Sequence, residues 1–445
     1  MKVKMISRDE VAMTRERSTD LNKVHRNTAL RGFERQTEVK RAVNAAKLNR
    51  VFAKPFVGQL SGHMDTVTSM MASPRSLDTF LTGSGDGEVR VWSLSRKATL
   101  WSIPMAHTSF VTGLVVSPNG ETFFTASDDR SIKQWRLDMG NMWAEDVDTP
   151  IESWASEYAL ESLSMHASRY VLATGSRQVD VWDVARATPV HTMAFSDDTI
   201  SSVAFNQVET EIIAAASSDR SLSFYDIRTE SALRKVELGN LINDVAWNPR
   251  EAFNITIASD DHNLYTFDMR KLDRALSVHK DHVSAVMSVA YSPTGRSFVS
   301  GSYDRSIRLW NISKGHSHEC YHTERMQRVL KVAYSSDARY VLSGSDDTGV
   351  RIWKSDASAT TGIQHPRAKA RARYEAALLK RYEHVPAVAK IHKQRFQPRS
   401  IFKARKLRHV MRLAEIRRDG RRRAHTRNPA PKIDSRTAAV RRLHD

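Results

Sequence analysis

A short pattern of apolar and polar positions recurs along the middle of this chain. Its clearest copy, at residues 298–310, reads as an apolar strand, a tight turn at residues 303–306, and a second strand in which Ile307 and Leu309 share one face. This alternation predicts a β-hairpin with one face in a core. A single hairpin cannot bury both of its faces, so the pattern requires neighbouring copies.

Seven copies of the pattern each end in an aromatic residue. In six of them an acidic residue lies six positions earlier, and the pairs are Asp86 and Trp92, Asp129 and Trp135, Asp219 and Tyr225, Asp261 and Phe267, Asp304 and Trp310, and Asp347 and Trp353. The other copy keeps Trp182 but has Ser176 in place of the aspartate. Successive aromatic residues are 43, 47, 43, 42, 43 and 43 positions apart. Such a period, with four short strands in each unit, predicts an all-β fold of seven radial units.

The units resemble WD repeats, which build β-propellers, and the resemblance covers residues 56–354. A histidine precedes the hairpin in the first, second and sixth units. We expect histidine, Ser or Thr, aspartate and tryptophan to hydrogen-bond one another where water is scarce, which is a structural role and not a catalytic one. The predicted blade residues are His63, Asp86, Trp92, His107, Asp129, Trp135, His282, Asp304, Trp310, Asp347 and Trp353.

The seven-bladed ring is predicted to close between strands from its two ends. In propellers of this type the sequence repeat is offset from the blade, so a strand at residues 56–60 would complete the blade whose inner strands end at Trp353. Closure removes the open sheet edges. The 47-residue spacing reflects an insertion at residues 138–150, which we expect to be a surface loop. The loop is either a tolerated insertion or a binding segment.

Three arginines follow the turn aspartates of the second, fourth and sixth units: Arg130, Arg220 and Arg305. We expect all three on one face of the ring. There they are either part of a binding surface or ordinary solvated turn residues.

Positive charge is concentrated at the two ends of the chain. The net charge of +18 divides into +7 for residues 1–50, −7 for residues 51–354 and +18 for residues 355–445. We therefore predict a basic N-terminal arm at residues 1–50, the propeller at residues 51–354, and a basic helical tail at residues 355–445. Basic runs in the tail also favour nuclear import.

Helical periodicity appears on both sides of the propeller. It predicts a short helix near residues 37–50, a helix at residues 366–383, a short segment after Pro386, and a longer helix that starts with Ser400 as its N-cap and runs toward Asp419. These helices are too polar for a free domain and are expected to dock on the propeller or on a partner. The last helix carries a narrow apolar stripe of Leu407, Val410, Met411 and Ala414.

Composition excludes a secreted or membrane protein. The single cysteine, Cys320, excludes an intramolecular disulfide and fits a reducing compartment. No apolar run approaches the ~20 residues of a membrane span, and the chain start lacks the apolar core of a signal peptide. We therefore expect a soluble intracellular protein without membrane contacts.

Catalytic and cofactor motifs are not found in the sequence. No glycine-rich phosphate loop opens a helix, and no nucleophile elbow or zinc-protease helix occurs, so we predict a non-enzyme without a cofactor. Ligands spaced two apart on one strand spread over about 20 Å, too far to share one ion, so no metal site is predicted. The alternating residues in question are His316, His318, Cys320 and His322.

Several stretches are more specific than the repeat pattern. Asn248-Pro-Arg-Glu-Ala-Phe253, Tyr321-His-Thr-Glu-Arg-Met-Gln327 and residues 47–56, 263–270, 281–286 and 374–401 resemble WD-repeat proteins that carry a C-terminal SOF domain. The resemblance implies a nuclear, nucleolar component of the small-subunit processome, which handles the precursor of small-subunit ribosomal RNA. Its implied partners are other processome proteins and pre-ribosomal RNA, with the chain a monomer within a large assembly.

The charge map is consistent with RNA contacts by the tail. Few aromatic residues occur there, so we expect contacts to the RNA backbone and shape and little base stacking. A tail that serves mainly nuclear import is the alternative. The predicted RNA-binding residues are Lys403, Arg405, Lys406, Arg408, Arg417, Arg418, Arg421, Arg422 and Arg423.

The same family is also described as a substrate receptor of cullin-RING ubiquitin ligases. Its members dock on the propeller adaptor of the ligase through an aromatic-Asp-x-Arg motif. Two copies occur here, at residues 225–228 and 267–270, although the arginine of each could simply pair with a neighbouring carboxylate. A chromatin-associated propeller is a third alternative. The candidate adaptor-binding residues are Asp226, Arg228, Asp268 and Arg270.

Overall fold

The computed structural model describes residues 34–137, 149–196, 198–229, 231–360, 362–427 and 434–444. Most of the predicted N-terminal arm, residues 1–33, and most of the predicted insertion, residues 138–148, lie outside the described residues. The chain divides into two compact units, the first from Met1–Ala53 and Ser358–Gln394 and the second from Lys54–Ala357 and Arg395–Asp445. The predicted tail is thus shared between both units.

The larger unit is a seven-bladed β-propeller, which confirms the predicted fold class. Strand β1 (Phe56–Leu60) precedes the first blade. Blade one contains β2 (Val67–Ala72), β3 (Thr79–Ser84), β4 (Val89–Ser93) and β5 (Ala98–Ile103), blade two contains β6 (Val111–Val116), β7 (Thr122–Ser127), β8 (Ser131–Arg136) and β9 (Glu152–Ala155), and blade three contains β10 (Ser162–Met165), β11 (Val171–Gly175), β12 (Val179–Asp183) and β13 (His191–Met193). Blade four contains β14 (Ile200–Phe205), β15 (Ile212–Ser217), β16 (Ser221–Asp226) and β17 (Ser231–Leu238), and blade five contains β18 (Ile242–Trp247), β19 (Asn254–Ser259), β20 (Asn263–Asp268) and β21 (Ser277–Lys280). Blade six contains β22 (Val286–Tyr291), β23 (Ser297–Ser302), β24 (Ile307–Asn311) and β25 (Glu319–Tyr321), and blade seven contains β26 (Val329–Tyr334), β27 (Tyr340–Ser345) and β28 (Val350–Lys354).

The ring closes where the sequence predicts. Strand β1 pairs antiparallel with β28 as the outermost strand of blade seven, with Leu60 opposite Val350. The inner strand of each blade packs beside the next, and β26 of blade seven packs beside β2 of blade one. Gly344 permits this approach, because a Cβ atom there would lie only 2.8 Å from Cγ1 of Val67. Both ends of the repeat region therefore contribute to one sheet.

The turn between the second and third strand of most blades uses a residue with positive φ. Glycine adopts this backbone region most easily, and blade one has Gly87 there, with φ of 84°. Blades two, four, five, six and seven place a larger residue at the same point, including Arg130, Arg220 and Arg305 with φ of 64°, 69° and 63°. These three arginine side chains are exposed.

Within the described residues, the smaller unit contains three helices: α1 (Glu34–Val51), α2 (Pro366–Arg381) and α3 (Pro386–Lys393). They confirm the helices predicted on both sides of the propeller. Their shared core consists of Ala42, Ala46, Leu378, Tyr382 and Val388. The Tyr382 hydroxyl donates a hydrogen bond to the Glu38 carboxylate on α1. Residues from opposite ends of the chain thus form one small helical unit.

The rest of the tail belongs to the propeller unit and contains α4 (Arg399–Ala424) and β29 (Val440–His444). The predicted N-cap, Ser400, is wrong, because Pro398 occupies the N-cap position and Ser400 lies in the first turn. Strand β29 pairs with β17, with Leu443 opposite Val236, and adds a fifth strand to blade four. Among the described residues, no helix is both long and apolar enough to cross a membrane.

Candidate functional site

Blade six contains the complete hydrogen-bond set that the sequence predicts. Nδ1 of His282 lies 2.9 Å from the Asp304 carboxylate, and its Nε2 lies 2.7 Å from the Ser300 hydroxyl. The indole N–H of Trp310 donates to the same hydroxyl at 2.7 Å. All four side chains come from three successive segments of one blade and are almost fully buried, so their function is to hold the blade together.

Blade two repeats this arrangement. His107 bridges the Asp129 carboxylate, at 3.0 Å, and the Thr125 hydroxyl, at 2.7 Å, which also accepts from Trp135. Burial opposes ionisation of Asp129, but hydrogen bonds from Ser131 and His107 lower its pKa to about 2. The pair is therefore a neutral histidine that donates to a carboxylate.

Blade one substitutes a different carboxylate. His63 contacts Thr82 at 2.7 Å, and the indole of Trp92 donates to the same hydroxyl at 2.7 Å. The other ring nitrogen of His63, however, lies 3.1 Å from Glu88. Asp86 accepts the backbone N–H of Glu88 in the turn and does not reach the histidine. The signal was present in the sequence, since Glu88 occupies the position where blades two and six have serine.

Within the described residues, His63, Asp86 and Glu88 are the group whose potential metal-ligand atoms lie within 4.8 Å of one another. Arg90 donates to Glu88 at 2.6 Å, so this carboxylate is already neutralised. The nitrogen of His63 that faces the carboxylates already hydrogen-bonds Glu88. A bound cation would have to replace both contacts, and the group is better explained as a blade-stabilising network.

The alternating residues at 316–322 do not form a common site. Nδ1 of His316 lies 3.2 Å from the Asp281 carboxylate, and Cys320 is buried in β25. The ring of His322 stacks on Phe396 with 5.4 Å between centroids. Each of these side chains has a separate structural environment.

Blades three and seven keep part of the hydrogen-bond set. Neither places a histidine beside its tryptophan, and in blade seven the Asp347 carboxylate instead pairs with Arg351. What remains is the bond from the indole to a hydroxyl on the neighbouring strand, Trp182 to Thr174 at 3.0 Å and Trp353 to Ser343 at 2.9 Å.

Helix α4 is attached to the propeller by its polar side chains. Arg405 forms an ion pair with Asp281 at 3.1 Å, and Arg408 donates to the backbone carbonyl oxygens of residues 282 and 283. Ile401 is the buried apolar residue of the helix. Two of the nine predicted RNA-binding residues, Arg405 and Arg408, are therefore engaged within the protein.

Asp281 is the centre of this attachment, and sequence reasoning missed it. Its carboxylate, 1% exposed, accepts the Ser317 backbone N–H and hydroxyl, both at 2.8 Å, and lies 4.0 Å from the buried guanidinium of Arg308. Burial opposes its ionisation, but Arg308, Ser317 and Arg405 together lower the pKa of Asp281. Its position before His282 corresponds to Gly62 in the first unit, so a charged residue in place of a small one was the available signal.

The remaining predicted RNA-binding residues lie on the outer part of α4. The helix has 11 basic and 2 acidic residues, and its C-terminal half is almost entirely exposed. Arg423 is half-buried. The exposed ones among these remaining predicted residues are Lys403, Lys406, Arg417, Arg418, Arg421 and Arg422.

The two aromatic-Asp-x-Arg copies lie at the ends of β16 and β20. Arg228 pairs with Asp226 at 3.3 Å, and Arg270 makes two hydrogen bonds to Asp268 at 3.1 and 2.9 Å. The Arg270 guanidinium also stacks over Phe253, 4.1 Å from the ring centroid. Both arginines remain largely exposed, so their outer surfaces are accessible to a partner.

Comparison with known families matches both parts of the architecture. A Sof1-like domain matches residues 355–440. The WD domain, G-beta repeat, matches residues 54–93, 99–136, 273–311 and 317–354. The three blades without a match are three, four and five, and two of them have Tyr225 and Phe267 where a WD repeat has tryptophan.

Whole-length relatives share the same order of parts. "DDB1- and CUL4-associated factor 13" of Xenopus tropicalis is 43% identical over 98% of both chains, and its human counterpart is 42% identical over 96% of both. "Protein SOF1" of Saccharomyces cerevisiae is 39% identical over 99% of this chain and 94% of its own length. The chain belongs to the Sof1-like family of WD-repeat proteins.

The Sof1-like domain is not one structural body in this chain. Its matched range begins in the segment before α2 and ends at the start of β29, so it contributes α2 and α3 to the smaller unit and α4 to the propeller unit. In this chain, the contacts of Arg405 and Arg408 with blade six attach the part of the Sof1-like domain that belongs to the propeller unit.

Acid is expected to destabilise the Sof1-like propeller below pH 6.5. Burial lowers the pKa of His63 and of His279 to about 4. An unfolded histidine has a pKa of about 6.5, so between pH 6.5 and 4 the unfolded chain binds protons that the native protein does not. Each group should then reduce the free energy of unfolding by about 1.4 kcal/mol per pH unit, and urea titrations monitored by tryptophan fluorescence will measure it.

A matched variant isolates one of these groups. His63→Gln keeps hydrogen-bonding capacity but removes the titrating ring, so its loss of stability with acid should be shallower by the contribution of one histidine. Parallel pH profiles for the variant and the parent protein would contradict the assignment to His63.

Proposed function

We propose that this Sof1-like protein is a non-enzymatic scaffold of the nucleolar small-subunit processome, needed for processing of the small-subunit ribosomal RNA precursor. The propeller, with a net charge of −7, binds neighbouring proteins, and α4, with 11 basic and 2 acidic residues, binds pre-ribosomal RNA. The observation that carries the proposal is the attachment of α4 through Arg405 and Arg408, because it holds an exposed basic helix on a protein-binding ring.

The RNA contacts are assigned to the far end of α4. Arg405 and Arg408 serve the attachment, while Arg417, Arg418 and residues 421–423 form a dense positive cluster beyond it. Such a cluster suits phosphate groups of an RNA backbone. A helix held at one end by the propeller presents these charges with less loss of conformational entropy than an unattached tail would.

Binding of the full chain to a defined RNA hairpin should weaken steeply with salt. If the helix neutralises about six phosphates, a plot of log affinity against log salt has a slope of roughly −4 to −5. Replacing residues 417, 418 and 421–423 by glutamine should bring the slope close to zero. A matched variant with Arg228→Gln and Arg270→Gln, exposed arginines on the ring, should retain the full slope. Equal slopes for the two variants would show that the basic cluster of α4 does not carry the RNA binding.

Depletion of the protein in cells tests the wider role. Precursors of small-subunit ribosomal RNA should accumulate, and the parent chain should restore processing where the α4 glutamine variant does not. Normal precursor levels after depletion would exclude the proposed function, whatever the result of the hairpin experiment.

A second candidate is a substrate receptor of a cullin-RING ubiquitin ligase. Relatives 43% identical to this chain carry a name that states association with DDB1 and CUL4. The exposed guanidinium groups of Arg228 and Arg270 support it here. Arg228→Glu with Arg270→Glu should abolish co-purification with DDB1 while the ring remains folded. Retention of DDB1 by this variant would exclude the two motifs as the docking site.

A further inference from the structure

Helix α4 has two faces of different character. The face toward the propeller carries Ile401, Arg405 and Arg408, at helical spacings of four and three residues. Polar contacts dominate this attachment. Of the apolar stripe predicted from the sequence, Met411 lines the cavity between α4 and the propeller, whereas Leu407 and Val410 do not. The attachment of α4 to the propeller therefore does not explain the apolar side chains of the stripe.

The stripe is exposed. Leu407 is 62% exposed, Val410 56% and Met411 55%, and with Ala414 they follow the spacing i, i+3, i+4, i+7. At 100° per residue, the centre of this stripe lies roughly 140° around the helix from the attached face. Three further exposed apolar side chains, Phe402, Leu413 and Ile416, lie on another side of the helix and do not belong to the stripe. An exposed apolar stripe of this kind on a helix marks an interaction site.

The spacing and the flanking charges specify the occupant. An i, i+3, i+4, i+7 stripe is the seam into which a second amphipathic helix packs. Phosphate groups of RNA offer no apolar surface to cover it. Lys406 and Arg417 lie along one side of the stripe, and Lys403 and Arg418 lie near its two ends. A partner helix with acidic flanks would complement them.

Charge also argues against covering by a second copy of α4 or by residues 1–33. A second copy of α4 would bring together two helices that each have 11 basic and 2 acidic residues. Residues 1–33 hold eight basic and four acidic residues, so they too repel α4. Both alternatives place like charges opposite one another.

We propose that the outward face of α4, residues 407–414, is the docking surface for an acidic amphipathic helix of another protein. The partner's apolar residues pack between Leu407, Val410 and Met411, and its carboxylates lie beside Lys403 and Lys406. The proposal does not rest on RNA binding, since the RNA contacts assigned above lie at the far end of the helix.

A designed peptide tests the chemistry of the surface. The probe is a 21-residue peptide of three heptads with leucine at positions a and d and glutamate at e and g. The full-length protein should bind it in fluorescence anisotropy, and a matched peptide with lysine at e and g should bind at least tenfold more weakly. Leu407→Gln with Val410→Gln should weaken binding of the acidic peptide at least tenfold. The control Met64→Gln with Met105→Gln, exposed methionines on the ring, should leave it unchanged.

Other results would overturn the proposal. Equal binding of both peptides, or unchanged binding by the α4 variant, shows that the stripe does not select an acidic helix. A dimer in analytical ultracentrifugation that the α4 variant converts to monomer assigns the stripe to a second copy. Loss of RNA-hairpin affinity by the same variant assigns it to nucleic acid. Circular dichroism of the variant, with unchanged helical content, ensures that these results concern the surface and not folding.

Discussion

A propeller whose strand β1 is replaced by a flexible linker will lose its cooperative unfolding transition. The change is residues 56–60 to Gly-Ser-Gly-Ser-Gly, which removes the buried side chain of Leu60 and the pairing with β28. Loss of a buried leucine and several ladder hydrogen bonds costs on the order of 5 kcal/mol or more. This is comparable with the whole stability of many domains, about 5–15 kcal/mol. Scanning calorimetry will measure the transition.

The position of the strand makes the effect larger than the local loss. Leu60 shares a core with Val67 of blade one and Val350 of blade seven, so its removal loosens the contact that closes the ring. It also leaves the edge of β28 unpaired and open to aggregation. An unchanged melting temperature would show that the ring closes without β1.

Strand β29 provides the matched control. It is also an outer strand from beyond the repeats, but it adds to a blade that already has four strands. Removal of residues 434–445 should lower the melting temperature modestly and leave the transition cooperative. Similar losses in both variants would mean that ring closure has no special importance.

Asp281→Asn is expected to destabilise the propeller and release α4. The change keeps the shape of the side chain but removes the charge that faces Arg308, a fully buried guanidinium. Leaving a buried charge without its partner costs about 3–5 kcal/mol, and the lower end applies because the Asp304 carboxylate also acts on Arg308. The ion pair with Arg405 is lost in the same substitution. The melting temperature and the rate of proteolytic cleavage within α4 report the two effects.

Two further variants separate these effects. Arg405→Gln removes only the partly exposed tail contact, so it should expose α4 to protease at a stability cost below about 1 kcal/mol. Asp281→Asn combined with Arg308→Met replaces the buried guanidinium by an apolar side chain, so no buried charge is left unpaired, and it should recover most of the stability without restoring α4. If the double variant is as unstable as the single one, the buried charge of Arg308 is not the cause.

The propeller could be predicted because each repeat encodes its own hairpin. Alternating apolar positions and turn residues recur every 42–47 positions. The strand at residues 56–60 lies outside the seven hairpins, and the last blade is the one that lacks an outer strand, so their pairing could be predicted. The three tail helices could be predicted from periodicity as well. Their ends could not, since Ser400 is the usual residue type for an N-cap but Pro398 already begins the helix.

Contacts between segments that are distant in the sequence could not be predicted from the pattern of residue types. Val440 and Leu443 resemble any short alternating stretch, and nothing local indicates that their partner is an edge strand some 200 residues away. Asp281 also has a partner that is distant in the sequence. Its carboxylate departs from the repeat pattern, and only the structure shows that Arg405 lies beside it. The choice of Glu88 over Asp86 depends on side-chain reach, which a pattern of residue types does not record.

The pairing of β1 with β28 also imposes an order on synthesis. About 290 residues separate Leu60 from its partner Val350 in the chain. At roughly 5–20 residues per second, a ribosome needs about 15–60 s to make them. Throughout that time β1 has emerged without the strand it will pair with, while blades one to six can already form. Closure of the last blade is therefore a late step of folding, and until then a newly made chain depends on protection of β1 from other exposed strands.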